Sequence, residues 1–215
     1  MFVLEEILKM QSHQLPSNLR LRVERSLSWL KKSNDLAESP DLQLMSLWVA
    51  MNALYLQDTA EGVNITALNY FLAQLYQQDQ SDKITQVLWQ EAEMSLEQWL
   101  SVAHTHPMYW DLQHGKITRA EYHESWAAYL DKIKKMEIQQ NHLLRLQLTF
   151  ERLYCYRNQV FFGGMRSQSQ VYHQQLSEAC RRLQPLILQF VYVMLENADQ
   201  YRDDPQRYFP VMNLS

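Results

Sequence analysis

Glycine is scarce in this chain: four residues in 215, at Gly62, Gly115, Gly163 and Gly164. Between them the apolar residues recur at helical rather than alternating spacing, which argues against strands and hairpins and predicts an all-α protein. Cysteine is scarcer still. Cys155 and Cys180 fall inside helical patterns without metal-ligand spacing, so reduced core thiols are expected rather than a disulfide or a redox pair. No apolar run approaches the roughly 20 residues that cross a bilayer. The longest, residues 186–195, contains Gln189 and follows Pro185. The opening MFVLEEILKM carries acids where a secretory signal carries its basic end, so a cytoplasmic protein without membrane association is expected. Basic excess is missing too, with 20 Lys+Arg against 24 Asp+Glu, a net charge of −4 and a pI near 6.0. Long nucleic acids are held through many phosphate contacts on a basic face, so any RNA contact here should be local and brief.

What is present is ample core material, 47% hydrophobic residues, without a repeat or a convincing linker. The expectation is one helical bundle of about seven or eight helices over residues 1–200, with 201–215 as an extended tail packed on it. Helices are predicted over residues 2–13, 17–37, 42–56, 65–78, 82–103 (N-cap Ser81), 118–135, 143–162 and 170–198, the last kinked or split by Pro185. Residues 42–56 are apolar on nearly every side and should be central. The basic face of residues 17–37, with Arg20, Arg22, Arg25, Lys31 and Lys32, reads as solvated. His104, His106 and His114 lie where helical periodicity lapses; no carboxylate or cysteine framework accompanies them, so neither metal nor cofactor is expected.

The stretch LLRLQLTFERLYCYRNQVFF, stopped by Gly163-Gly164, organises the chain. Leu143, Leu146, Phe150, Leu153, Val160 and Phe161 fall on one stripe, and Arg157 projects from its middle. A guanidinium there belongs in a polar network, at an interface or in a wet pocket, because an unpaired buried charge is very costly. Asn52, set in the apolar 42–56 helix, is either a clasp between helices or a member of the same cluster.

The segment RLYCYRNQVFFGG, Arg152 to Gly164, resembles the motif of the HEPN superfamily, in which an arginine followed by a polar residue precedes a histidine by four to six positions. LWVAMNALYL (Leu47 to Leu56), RSLSWLKKS (Arg25 to Ser33) and RYFPVMN (Arg207 to Asn213) are similar to further segments of bacterial members. The resemblance implies a helical bundle, commonly a homodimer, with paired sites near the dimer interface. It also implies metal-independent ribonuclease chemistry in toxin–antitoxin, antiphage or RNA-processing systems. There the histidine moves the proton of the ribose 2′-hydroxyl and the arginine stabilises charge on phosphate. Arg157 and Asn158 match the motif, but Phe162 stands in the histidine's place and cannot move a proton. The pair Arg166 and His173 has suitable spacing without the surrounding context.

Three functions follow as expectations. The first is a degenerate HEPN-like protein, non-catalytic or weakly active, that associates with RNA or a nucleotide through Arg157, Asn158, Asn52, Tyr154 and Arg166, with a homodimer or a protein from a neighbouring gene as partner. The second is an active endoribonuclease in which Tyr154, Tyr156 or a histidine brought in by the fold transfers the proton. The third is a helical interaction module in which a carboxylate such as Glu151 clamps Arg157.

Overall fold

A computed structural model describes residues 2–11, 13–56, 65–90 and 95–202. Among these there is no strand. Ten α-helices run in order: α1 Phe2–Gln11, α2 Ser17–Asn34, α3 Pro40–Tyr55, α4 Ile65–Gln78, α5 Lys83–Leu88, α6 Leu96–Leu100, α7 Pro107–Gln113, α8 Arg119–Ile138, α9 His142–Phe161 and α10 Gln170–Glu196. Short 3-10 helices, Ala103–Thr105 and Ala198–Tyr201, precede α7 and follow α10. The protein is an all-α bundle. The predicted turn at 59–62 and the tail from residue 203 lie outside the described residues.

The centre is α3, packed between α2 and α10 and touching α9. Its Leu44, Leu47, Trp48, Met51 and Leu54 are buried, as expected of a helix apolar on nearly every side. The stripe predicted for α9 is buried at Leu146, Phe150 and Leu153 and opens to solvent at Phe161. Phe150 and Phe190 stack at 5.6 Å, fastening α9 to α10. Each such ring is worth about 3–5 kcal/mol against truncation to alanine.

The chain has more helices than expected because two predictions were too coarse. The single helix predicted for 82–103 is α5 and α6. Its start is set by the Asp79 carboxylate, which accepts from the backbone N–H of Lys83 and Ile84 at 3.0 and 2.7 Å, while Asp82 takes a left-handed conformation at φ 53°. Ser81 is not the cap. α6 begins afresh at Ser95, whose hydroxyl accepts from Gln98 while the Gln98 side chain accepts from the Ser95 N–H, a reciprocal cap. The second is the lapse after His104, which contains α7. Pro185 does not split α10, which is helical throughout Gln170–Glu196.

The basic face predicted on α2 also needs correction. Arg22 is only 3% exposed. It lies three residues after Leu19, on the buried stripe, and donates from Nε to the Leu54 carbonyl at 2.8 Å, beneath the Tyr201 ring. Arg145 donates to the Leu88 carbonyl and pairs with Glu137 at 2.8 Å. Arg152, 1% exposed, donates to the carbonyls of Leu100 and Val102 and to the Tyr129 hydroxyl.

Removing such a donor strands several buried acceptors at once. Arg152→Leu should therefore cost about 2–5 kcal/mol in urea unfolding, and Arg157→Leu, where the guanidinium donates to its neighbour Asn158 rather than to another helix, under about 1. Equal losses would contradict this division between an internal strut and a spare cation.

Candidate functional site

Along α9 and its C-cap, Glu151, Tyr154, Cys155, Asn158, Gln159 and Phe162 recur in an i, i+3, i+4, i+7 pattern and so share one face. That face is a wall of a groove of about 660 Å³, completed by Ile65 of α4, Trp110 of α7, His114 at the C-terminal end of α7, and Gly163-Gly164. Glu151 is the one carboxylate among these lining groups, and none is Arg or Lys.

The α7 wall is held by backbone chemistry. Pro107 stands in the first helical turn, where its missing N–H costs nothing. Gly115 ends the helix at φ 67°, and the His114 N–H reaches the Trp110 carbonyl at 2.9 Å. Gln159 donates to the His104 carbonyl at 3.2 Å, tying the segment before α7 to α9. The glycine pair closes the other end. Gly163 adopts φ 73°, and a Cβ on Gly164 would come within 3.2 Å of the Gln159 carbonyl. The loop beyond is fastened to α3 by Asp41, which accepts from the Ser167 hydroxyl at 2.7 Å and the Gln168 N–H at 3.2 Å. Burial alone would raise the Asp41 pKa; these bonds and one from Leu42 outweigh it and hold it below the usual carboxylate range.

Arg157 lies beside the groove wall, half-buried. It donates from Nη1 to Asn158 Oδ1 at 2.8 Å, and its guanidinium sits 4.5 Å from the Phe161 ring centre and 5.9 Å from that of Phe162. No carboxylate among the described residues pairs with it, and Glu151 faces the groove instead. Arg157 and Asn158 are thus brought together, with Tyr154 and Phe162 on the same groove. Phe162 is 73% exposed. Asn52 lies on the α3 stripe between Trp48 and Tyr55, and Trp48 meets Tyr154 edge-on at 5.9 Å. Arg166 is exposed in the loop after the glycines and does not line the groove; His173 is exposed as well.

Sequence reasoning missed Trp110, His114 and Gln159 as site residues. A signal existed, since Pro107 and Gly115 bracket a helix whose Trp110 and His114 are four residues apart. Of the tyrosines considered for proton transfer, Tyr156 is fully buried and stacked on Trp99 at 5.8 Å, with burial pushing its hydroxyl up to about 12. Burial likewise raises Cys155 to about 12, so that thiol is no nucleophile near neutral pH. No group of three or more potential metal ligands converges among the described residues, and no helix among them is long and apolar enough to cross a membrane. Comparison of the chain with protein-family models, curated proteins and solved structures finds no match.

His106 is the histidine whose titration is strongly displaced beside this site. Its ring lies 5.0 to 6.1 Å from those of Tyr129, Trp126 and Tyr122. Burial, then the Arg152 charge, lower its pKa from 6.5 to about 4. Between those values the unfolded chain binds a proton that the folded chain refuses, so stability falls as pH drops from 6.5 towards 4. That displacement corresponds to about 3 kcal/mol. Denaturant unfolding across this range should show the loss in wild type and a flatter profile in His106→Gln. Parallel profiles would remove His106 from the account.

Proposed function

We propose that this chain is a HEPN-like protein whose ribonuclease site has lost its proton carrier, and that it associates with RNA or a nucleotide without efficient turnover. The observation that carries the reading is the hydrogen bond from Arg157 to Asn158, which lines an open groove, with exposed Phe162 at the position where the motif resemblance places histidine. Arginine supplies charge stabilisation for a phosphate, while phenylalanine offers neither an acid nor a base. Among the described residues no lysine or arginine lines the groove, which suits one or a few nucleotides better than a long duplex. The chain acts as a homodimer, or beside a protein encoded by a neighbouring gene, in a toxin–antitoxin or defence setting. Phe161 and Phe162, exposed and edge-to-face at 5.1 Å, supply an apolar surface for such an association.

One observation favours a second reading. His114 lines the same groove as Asn158, so an imidazole from α7 could replace the missing one and make the protein an active endoribonuclease. The two readings separate in one assay on short single-stranded RNA across a range of pH. The degenerate reading expects no cleavage above background by wild type, and a gain of about 10²–10⁴-fold in Phe162→His. Wild-type cleavage that disappears in both Arg157→Ala and His114→Ala would replace it with the second. RNA that is neither bound nor cut by wild type or Phe162→His would sink both.

A further inference from the structure

The groove wall on α9 has a chemical direction. Glu151 stands at one end, half-buried, and among the described residues no hydrogen bond or ion pair engages its carboxylate. Asn158, also half-buried, stands seven residues on. Its Oδ1 is taken by Arg157, which leaves Nδ2 as the unspent side of the amide. Two helical turns separate the two groups, about 10.5 Å along the axis at about 1.5 Å per residue. The rings of Tyr154, Trp110 and Phe162 bound the same space, whose volume of about 660 Å³ is that of a pocket for a small molecule. A lone carboxylate with no cation on the lining repels a phosphate. A nucleotide entering the groove therefore turns its phosphate towards Asn158, with the Arg157 charge behind it, and its base towards Glu151.

We infer that Glu151 reads the base of the bound nucleotide and selects guanine. The inference rests on the reading of the groove as a nucleotide or RNA site, and adds which base it takes and which way round. An ionised carboxylate offers two acceptor oxygens side by side and no donor. Guanine is the standard RNA base whose pairing edge carries two adjacent donors, a ring N–H and the exocyclic amine, so both oxygens are met. Adenine and cytosine place a ring-nitrogen acceptor beside their amine, and uracil flanks its one donor with two carbonyls. Each of these sets a lone pair against a carboxylate oxygen. Hydrogen bonds to an ionised acceptor are about twice as strong as neutral ones, so the difference is large. Stacking on the aromatic rings accepts any base, which leaves identity to Glu151. The same role accounts for a carboxylate standing in a groove whose other end suits an anion.

The test is calorimetric titration of the full chain, in low-salt buffer, with the monophosphates of guanosine, inosine and adenosine, with guanosine itself, and with short single-stranded RNAs that contain or lack guanine. Guanosine monophosphate should bind at least about tenfold tighter than adenosine monophosphate. Inosine monophosphate, which lacks only the exocyclic amine, should bind about tenfold more weakly than guanosine monophosphate. Glu151→Gln keeps the size of the side chain and exchanges one acceptor for a donor, the pattern that pairs with adenine. It should weaken guanosine monophosphate about tenfold, erase its advantage over inosine monophosphate and strengthen adenosine monophosphate. A carboxylate acting only as a charge predicts instead that Glu151→Gln tightens all three alike. That outcome, or equal affinities for the three in wild type, would overturn the assignment. RNA bound by wild type and lost in Arg157→Ala, with guanine making no difference, would overturn it while leaving the RNA reading standing. Glu151-dependent binding of guanosine, with no RNA bound, would support the base slot and remove the RNA reading. Binding of none of these probes would sink both.

Discussion

Three guanidinium groups from the interior, those of Arg22, Arg145 and Arg152, each reach a backbone carbonyl where another helix ends: Leu54 of α3, Leu88 of α5 and Leu100 of α6. The last carbonyls of a helix have no partner within it, and they carry the negative end of its dipole. Exposed helices leave those carbonyls to water. Here α5 and α6 are one or two turns long and end against the core, where water is not at hand and an unmet carbonyl is costly. A planar fork of donors carrying positive charge answers both needs at once. The short helices of the 83–114 region are therefore held in place less by their own propensity, which is marginal at such length, than by arginines sent out from α9.

This arrangement decides where the groove can be. Arg152 grips the Leu100 and Val102 carbonyls, and two turns further along the same helix Gln159 grips the His104 carbonyl. Together they fix the segment from which α7 departs, and α7 brings Trp110 and His114 opposite the wall formed by Tyr154, Asn158 and Phe162. The aromatic box around His106 packs on the other side of that segment. Arg157 belongs to none of this scaffolding. It is less buried than Arg152, and it is bonded to its neighbour Asn158 rather than to another helix end. A cation maintained without a structural task, beside a groove, is a better mark of a site than one bound into the frame.

How much of this could be read from the sequence depended on whether the signal was local. The α3 helix was legible because its apolar residues are continuous, and the end of α9 because Gly163-Gly164 permits the conformation that stops a helix. The break between α5 and α6 was harder, since Ile84, Leu88, Leu96 and Trp99 keep one apolar face across it, and the reciprocal cap of Ser95 and Gln98 is its one plain marker. Arg22 was misread because a charge on an apolar stripe looks like the edge of a solvated face until the Leu54 carbonyl is seen opposite it, 32 residues away. His114 shares that difficulty. Its place beside α9 is a consequence of tertiary packing and of no motif around it.

If the proposed reading holds, Phe162 changes the chemistry of the groove beyond the loss of a proton carrier. With Phe161 it sets two ring faces within 4.5 and 5.9 Å of the Arg157 guanidinium. Such contacts stabilise the cation modestly, by about 0.5–2 kcal/mol, while screening part of it from water. A less hydrated guanidinium has less solvent to shed when an anion arrives, so a phenylalanine here, which offers no acid–base help, favours capture of charge. The exposed Phe162 ring also offers a flat surface on which a base can stack, where a histidine would have been engaged with the reacting oxygen. On the proposed reading, the guanidinium, its amide neighbour and the aromatic ring would form a surface suited to holding a phosphate-bearing ligand and poorly equipped to cut it.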